Sequence, residues 1–288
     1  MQGTIHDFNY GAVTPVVAYV MAYLGGALGL RCTIRSVRNQ NTWKPGWLAL
    51  GAAAIGSGMW TMHFIAMIGF HVEESPIGFE TFYTVLSLVV AVLAVGIGVF
   101  IVGYRTVTPR ATQVAAVLVT GFGIAAMHYI GMAGMRLNGS IEYDIPSVVL
   151  SVLIALVAAA TALWAGVALH NLLASLGASM VMGIAVTGMH YMGMNGITVH
   201  LHGAARAAAL GDSAASIMFP MLFGPAVFLL LAGVVVMFDP LLVLGDEERP
   251  SPAGRPAPSW GQPTALRRGT RNRPESRDTH TSRDTHTW

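Results

Sequence analysis

Three histidines each sit inside one short pattern, Met-His-aromatic-x-small-Met, in an apolar stretch. The copies read Met62-His63-Phe64-Ile65-Ala66-Met67, Met127-His128-Tyr129-Ile130-Gly131-Met132 and Met189-His190-Tyr191-Met192-Gly193-Met194. On a helix, a His and the Met four residues later lie about 40° apart around the axis and about 6 Å apart along it. Each copy thus presents one imidazole nitrogen and one thioether on one face. The Met before each His lies about 100° to the flank, better placed for a neighbouring helix. Packed together, three such helices would bring three imidazoles and three thioethers to one site. Thioether is a soft ligand that selects Cu(I), and imidazole suits copper in either oxidation state. Zinc fits less well, because closed zinc sites favour thiolate with imidazole. The competing expectation is packing, with methionine as an adaptable core residue and the histidines bonded to carbonyls or to Tyr129 and Tyr191. Ionisable groups within membrane spans usually serve function, and a threefold repetition favours a ligand site.

The elements that carry these residues must be membrane helices. The chain has 288 residues, of which 54% are hydrophobic and 10% charged, against about 25% charged in an average soluble domain. Lys, Arg, Asp and Glu are absent from 14–30, 45–72, 81–104, 111–135, 145–205 and 213–238. A span needs about 20 apolar residues, and the fifth run is long enough for two, divided at His170-Asn171. Seven spans result, near 14–30, 47–69, 82–102, 113–134, 146–169, 172–195 and 217–238. Helices are expected, since backbone in hydrocarbon must bond within its own segment. A β-barrel would alternate apolar and polar residues in short segments. The first span has Arg31, Arg35 and Arg38 behind it and no basic residue ahead of it, which reads as an anchor and not a cleaved leader.

The motif histidines are 65 and then 62 residues apart, the length of two spans with two short loops. The expected architecture is all-α and polytopic, with three parallel two-helix repeats plus one extra helix. All three motifs then fall on one side of the membrane. Glycines six residues after each His (Gly69, Gly134, Gly196) are expected to close the motif helices. Basic loops after spans one and three (Arg31, Arg35, Arg38, Lys44; Arg105, Arg110) alternate with acidic ones (Glu73, Glu74, Glu80; Glu142, Asp144). The positive-inside tendency then places the N-terminus outside, the C-terminus in the cytoplasm, and the motifs at the outer face of the inner membrane.

Eleven of the sixteen methionines fall in or beside spans two, four and six. Met180, Met182 and Met189 suggest a path inward from the motif. His200-x-His202 offers a weaker metal-capture pair in an outer loop, most simply a solvated one. Cys32 stands alone, so an internal disulfide is excluded. Residues 245–288 are rich in Pro, Arg, Ser and Thr and end in a direct repeat, the composition of a disordered tail. The domain division is therefore 8–244 for the membrane unit and 245–288 for the tail. Phosphate loops, paired carboxylates within a span and Ser/His/Asp sets are all missing, so the chain is expected not to be an enzyme. Nucleic-acid binding has no support either.

The three motifs at this spacing resemble the MHYT family of bacterial integral membrane sensor domains, over about residues 8–238. The resemblance implies a copper site near the outer face formed by Met62, His63, Met67, Met127, His128, Met132, Met189, His190 and Met194. It also implies detection of a diatomic gas such as oxygen, carbon monoxide or nitric oxide. The threonine of the family pattern is replaced by Ile65, Ile130 and Met192, and Phe64 stands for the tyrosine of the first motif. Many members continue into cytoplasmic cyclic-di-GMP domains. With about 44 residues in the tail at 245–288, output is expected through a separate cytoplasmic partner. The alternatives are a haem-binding redox protein with two axial histidines and a copper carrier.

Overall fold

The computed structural model describes residues 3–6, 10–38, 44–104, 109–169, 171–201 and 214–238. Its helices are α1 (Val13–Arg38), α2 (Lys44–Ile68), α3 (Thr81–Tyr104), α4 (Arg110–Ala133), α5 (Ile145–Ala168), α6 (Leu172–Asn195) and α7 (Ala214–Met237). All seven contain a stretch long and apolar enough to cross a membrane. Local signals set their starts. The Asp144 carboxylate accepts from the Ser147 amide at the head of α5, and the Asn171 side chain accepts from the Ala174 amide at the head of α6. Both satisfy an amide that the first helical turn leaves open. Asn171 thus separates the two helices of the longest uncharged run. His170, His202 and the expected tail at 245–288 lie outside the described residues.

The first six helices form three antiparallel hairpins, and these close into a ring. Helices α2 and α3, α4 and α5, and α6 and α1 pack against each other between hairpins, while α7 lies outside the ring against α2 and α1. Helix α2 is therefore the most enclosed, with 78% of its apolar window buried against 50% or less in the others. The ring seams repeat. Seven residues before each motif histidine stands a glycine. A Cβ on Gly56 would lie 2.9 Å from the Val92 backbone of α3, on Gly121 2.8 Å from Leu156 Cα of α5, and on Gly183 3.4 Å from the Tyr23 amide of α1. Small residues of this kind let helix backbones approach in lipid.

Short antiparallel ribbons cap the motif end, one per repeat. They pair β1 (Ile5–His6) with β2 (His71–Val72), β3 (Gly78–Phe79) with β4 (Met135–Arg136), and β5 (Gly139–Tyr143) with β6 (Ile197–Leu201). Each repeat is thus strand, helix, helix, strand. Further bonds stitch the ribbons together: the Gly3 amide donates to the Val199 carbonyl, and the Asn138 amide to the Ser75 hydroxyl. Glu74 accepts from both the amide and the hydroxyl of Thr4, so this carboxylate anchors the N-terminal strand.

The motif helices end at the expected glycines, for a different reason than expected. Gly134 and Gly196 have φ of −74° and −91°, outside the left-handed region that favours glycine. Their Cβ positions would fall 2.9 Å from Tyr83 Cβ and 2.4 Å from Ser147 Cβ. Their carbonyls accept from the Glu80 and Asp144 amides. Glycine here admits the start of the partner helix.

A candidate metal centre

His63, His128 and His190 each lie five residues before the end of their helices, and this equal distance from the helix ends brings all three to one level. The ring of hairpins turns the three faces inward. The imidazoles meet on the axis, with Nδ1–Nδ1 separations of 3.0 Å (His63 to His190), 3.2 Å (His63 to His128) and 3.3 Å (His128 to His190). Ring centroids are 5.0, 5.0 and 5.1 Å apart with interplanar angles of 76–88°, a three-bladed propeller. Behind each blade stands the aromatic that follows it in sequence. Phe64, Tyr129 and Tyr191 contact their histidines edge-on at 4.7, 4.8 and 5.0 Å.

All three histidines are at most 1% exposed. Their ring Nδ1 atoms are mutually within hydrogen-bonding range, yet a closed triangle of identical atoms cannot satisfy every member. A neutral imidazole carries one proton, on one nitrogen. If Nδ1 holds the lone pair on all three rings, three lone pairs face one centre, the electrostatic setting of a cation site. Three nitrogens placed tetrahedrally about 2.0–2.1 Å from one ion would be about 3.3–3.4 Å apart. The observed triangle fits such an ion after a small outward adjustment. On the far side of the rings, Nε2 of His63 and of His128 are buried without a hydrogen-bond partner.

The two glycines three residues after a motif histidine hold this arrangement. A Cβ on Gly131 would lie 2.6 Å from His63 Nε2, and one on Gly193 would lie 2.7 Å from His128 Nε2. Each helix thus leaves space for the imidazole of another repeat.

Met62, Met67, Met127, Met132, Met189 and Met194 are all buried, at 3% exposure or less, within the one core cluster. The sequence pattern put the histidines together correctly, with imidazole contacting imidazole. The expected alternative partners differ: the Tyr129 hydroxyl bonds Ser151 Oγ on α5 at 2.7 Å. Met182 and Met189 are buried, but Met180 is 50% exposed on the outer surface of the ring, so an inward file of the three is not formed. In the ribbon layer, His200 Nε2 lies 3.0 Å from Glu142 on an exposed surface. Tyr143 packs edge-on against Tyr129 at 5.8 Å. Burial, with Tyr129 beside it, raises the Tyr143 hydroxyl above its ordinary pKa. Sequence reasoning missed Tyr143, whose signal was its place in the short loop after the second motif.

A profile described as "Bacterial signalling protein N terminal repeat", the MHYT repeat, matches residues 56–115 and 121–179. The chain belongs to the MHYT family. Both matched stretches begin on the ring-seam glycine seven residues before a triad histidine. The same register recurs at Gly183, seven residues before His190 and beyond the two matched stretches, and His190 joins the other two histidines at the site. Among curated relatives, the chain is 36% identical over 188 residues to the bifunctional diguanylate cyclase/cyclic di-GMP phosphodiesterase MucR of Pseudomonas aeruginosa, covering 64% of this chain and 27% of that protein. It is 35% identical over 201 residues to the cyclic di-GMP phosphodiesterase NbdA of the same organism, covering 66% and 25%. The signaling protein YkoW of Bacillus subtilis is 29% identical over 192 residues, covering 64% and 23%. The chain therefore spans about a quarter of the length of these MHYT relatives. No solved structure matches it.

Proposed function

We propose that this MHYT bundle is a ligand-binding sensory module, not a catalyst, and that His63, His128 and His190 hold one copper ion through Nδ1. The observation that carries this is the Nδ1 triangle of 3.0–3.3 Å, buried on the ring axis. The motif methionines, in the same core, supply the soft surroundings that favour Cu(I). Three histidines around one ion leave a coordination position open, which is what detection of oxygen, carbon monoxide or nitric oxide would need. The geometry favours a single ion over haem: two axial nitrogens across an iron would stand about 4 Å apart at ordinary metal–imidazole lengths, with a macrocycle between them.

The acidic residues Glu74, Glu80, Glu142 and Asp144 lie at the motif end, and Arg31, Arg35, Lys44 and Arg110 at the other. That supports an inner-membrane location with the motifs outward. The names of the relatives support a cytoplasmic output involving cyclic di-GMP enzymes, reached here through a partner or a further part of the protein.

The deciding experiment is metal analysis and visible spectroscopy of detergent-purified protein after copper reconstitution. It is run beside a His63→Ala/His128→Ala/His190→Ala variant. One copper per chain, lost in the variant, is expected. Equal copper in both, or a Soret band lost in the variant, would sink the copper reading.

A further inference from the structure

An ion at the triad must have a way in. Three cavities bear on this. A small void of about 20 Å³ lies on the axis directly below the triad, lined in part by Ile55, Met59, Thr120, Ile124, Met182 and Val186. These are the residues four and eight positions before the three histidines, so the void continues the axis toward the opposite end. Its walls are almost wholly apolar, and a charge in transit there would stand unsolvated at membrane depth, which is unfavourable. A groove of about 690 Å³ opens at the opposite end beside Arg110 and Trp164, and no motif residue lines it.

The third cavity is different. It has about 360 Å³ and sits in the ribbon layer, where Tyr129 and Met132 of the second motif share its wall with Met135, Arg136, Ile141 and Tyr143. Met135 is 5% exposed and Met132 fully buried, so Met135 is the nearer to solvent of the two. The Tyr129 ring, which also lines this cavity, abuts His128 at 4.8 Å. Arg136 would repel a cation, but its guanidinium is ion-paired with Glu80. The thioether at this place is peculiar to repeat two: seven residues after the histidine, repeats one and three carry Phe70 and Ile197.

We infer that this pocket is the loading portal of the site, and that Met135 and then Met132 pass a soft monovalent ion, Cu(I), to the histidine triad. The inference rests on the proposed copper site. Each step is a ligand exchange at constant oxidation state. The Met135 sulfur donates an electron pair as a ligand of the delivering chelate departs, the Met132 sulfur replaces it, and Nδ1 of His128 replaces that in turn. Thioether suits this role because it binds Cu(I) without a proton to lose. Met135 is then a positioning residue for delivery and not a member of the final ligand set.

The test is stopped-flow loading of the metal-free full chain with Cu(I) supplied from a competing chelator, with Ag(I) as a redox-inert second probe. Final stoichiometry is read in the same samples. Met135→Leu keeps an apolar side chain of similar size, a volume-conserving swap that cores tolerate well. It should load about tenfold more slowly, the effect of a barrier raised by about 1.4 kcal/mol, and reach the wild-type stoichiometry. Ile141→Trp, which fills the pocket from β5, should slow loading at least as much. Ile197→Leu, at the matching place in repeat three, should load like wild type. Wild-type rates in both pocket variants overturn the portal while leaving the triad intact. Lowered final stoichiometry in Met135→Leu overturns the assignment of Met135 to delivery. Failure of the wild type to take up either ion overturns the copper site, and the portal with it.

Discussion

The histidines depend on what other residues lack. His63 and His128 present Nε2 to Gly131 and Gly193, where a methyl group would stand 2.6 and 2.7 Å away. That is too close for a carbon against a ring nitrogen, and the imidazoles are walled in by their own aromatic neighbours. Gly131→Ala and Gly193→Ala should therefore push an imidazole toward the axis and break the triangle. The expected costs are about 1–3 kcal/mol of stability each, as in other overpacked cores, and a copper affinity lower by at least about tenfold, read by chelator competition. Ala66 occupies the corresponding position in the first motif and already carries a Cβ. Ala66→Gly should leave affinity within about threefold of wild type, because it removes no support that the Nδ1 triangle needs.

Helix contacts set whether the three histidines arrive together. Two backbones nearly touch where α1 crosses α2: a Cβ on Gly25 would lie 2.7 Å from Gly58 Cα. Gly25→Val should part this hairpin and destabilise the bundle by about 3 kcal/mol, seen as a loss of folded protein on thermal size-exclusion analysis. Trp60 ties α2 to α3 by donating from its indole to the Thr84 carbonyl and the Ser87 hydroxyl, both at 3.0 Å. Trp60→Phe keeps most of the packing and removes both indole bonds, while the Ser87 hydroxyl still donates to the Thr84 carbonyl, a loss of about 1 kcal/mol measurable as a lower Tm.

Much of this was legible beforehand. Long uncharged runs can be little else than membrane helices, and the repeat of motif and spacing put His63, His128 and His190 at one depth. Periodicity could not reveal the ring, because ring closure depends on α6 meeting α1, a contact between the ends of the chain. Nor could it reveal which nitrogen points inward, since that is fixed by a side-chain torsion. The ribbons were hidden for another reason. Strands such as β1 and β3 have two residues each, too short for an alternation to register. Met180 was misjudged because a residue two positions from Met182 faces the other side of the helix.

At the scale of the molecule, the triad brings all three repeats together through polar atoms, and it is not built for stability on its own. Three buried imidazoles crowd their Nδ1 atoms, and two leave Nε2 unpaired. An unsatisfied buried polar atom costs about 1–3 kcal/mol, and apolar replacement of a whole buried polar set is often neutral or favourable. His63→Leu/His128→Leu/His190→Leu should thus melt no lower than the metal-free wild type. A ligand that binds only the folded form reverses the order. At a free concentration one hundred times its Kd it adds about 2.7 kcal/mol, and that gain reaches all three hairpins because each supplies one donor. Thermal melts with and without Cu(I) should therefore cross. The wild type should rise by several degrees when copper is added and fall back with a chelator, while the triple-leucine variant stays fixed under both conditions. A metal-free wild type that melts well above the variant would mean that the histidines stabilise the ring by hydrogen bonding among themselves, and that the triangle is a structural clasp instead of a site waiting for an ion.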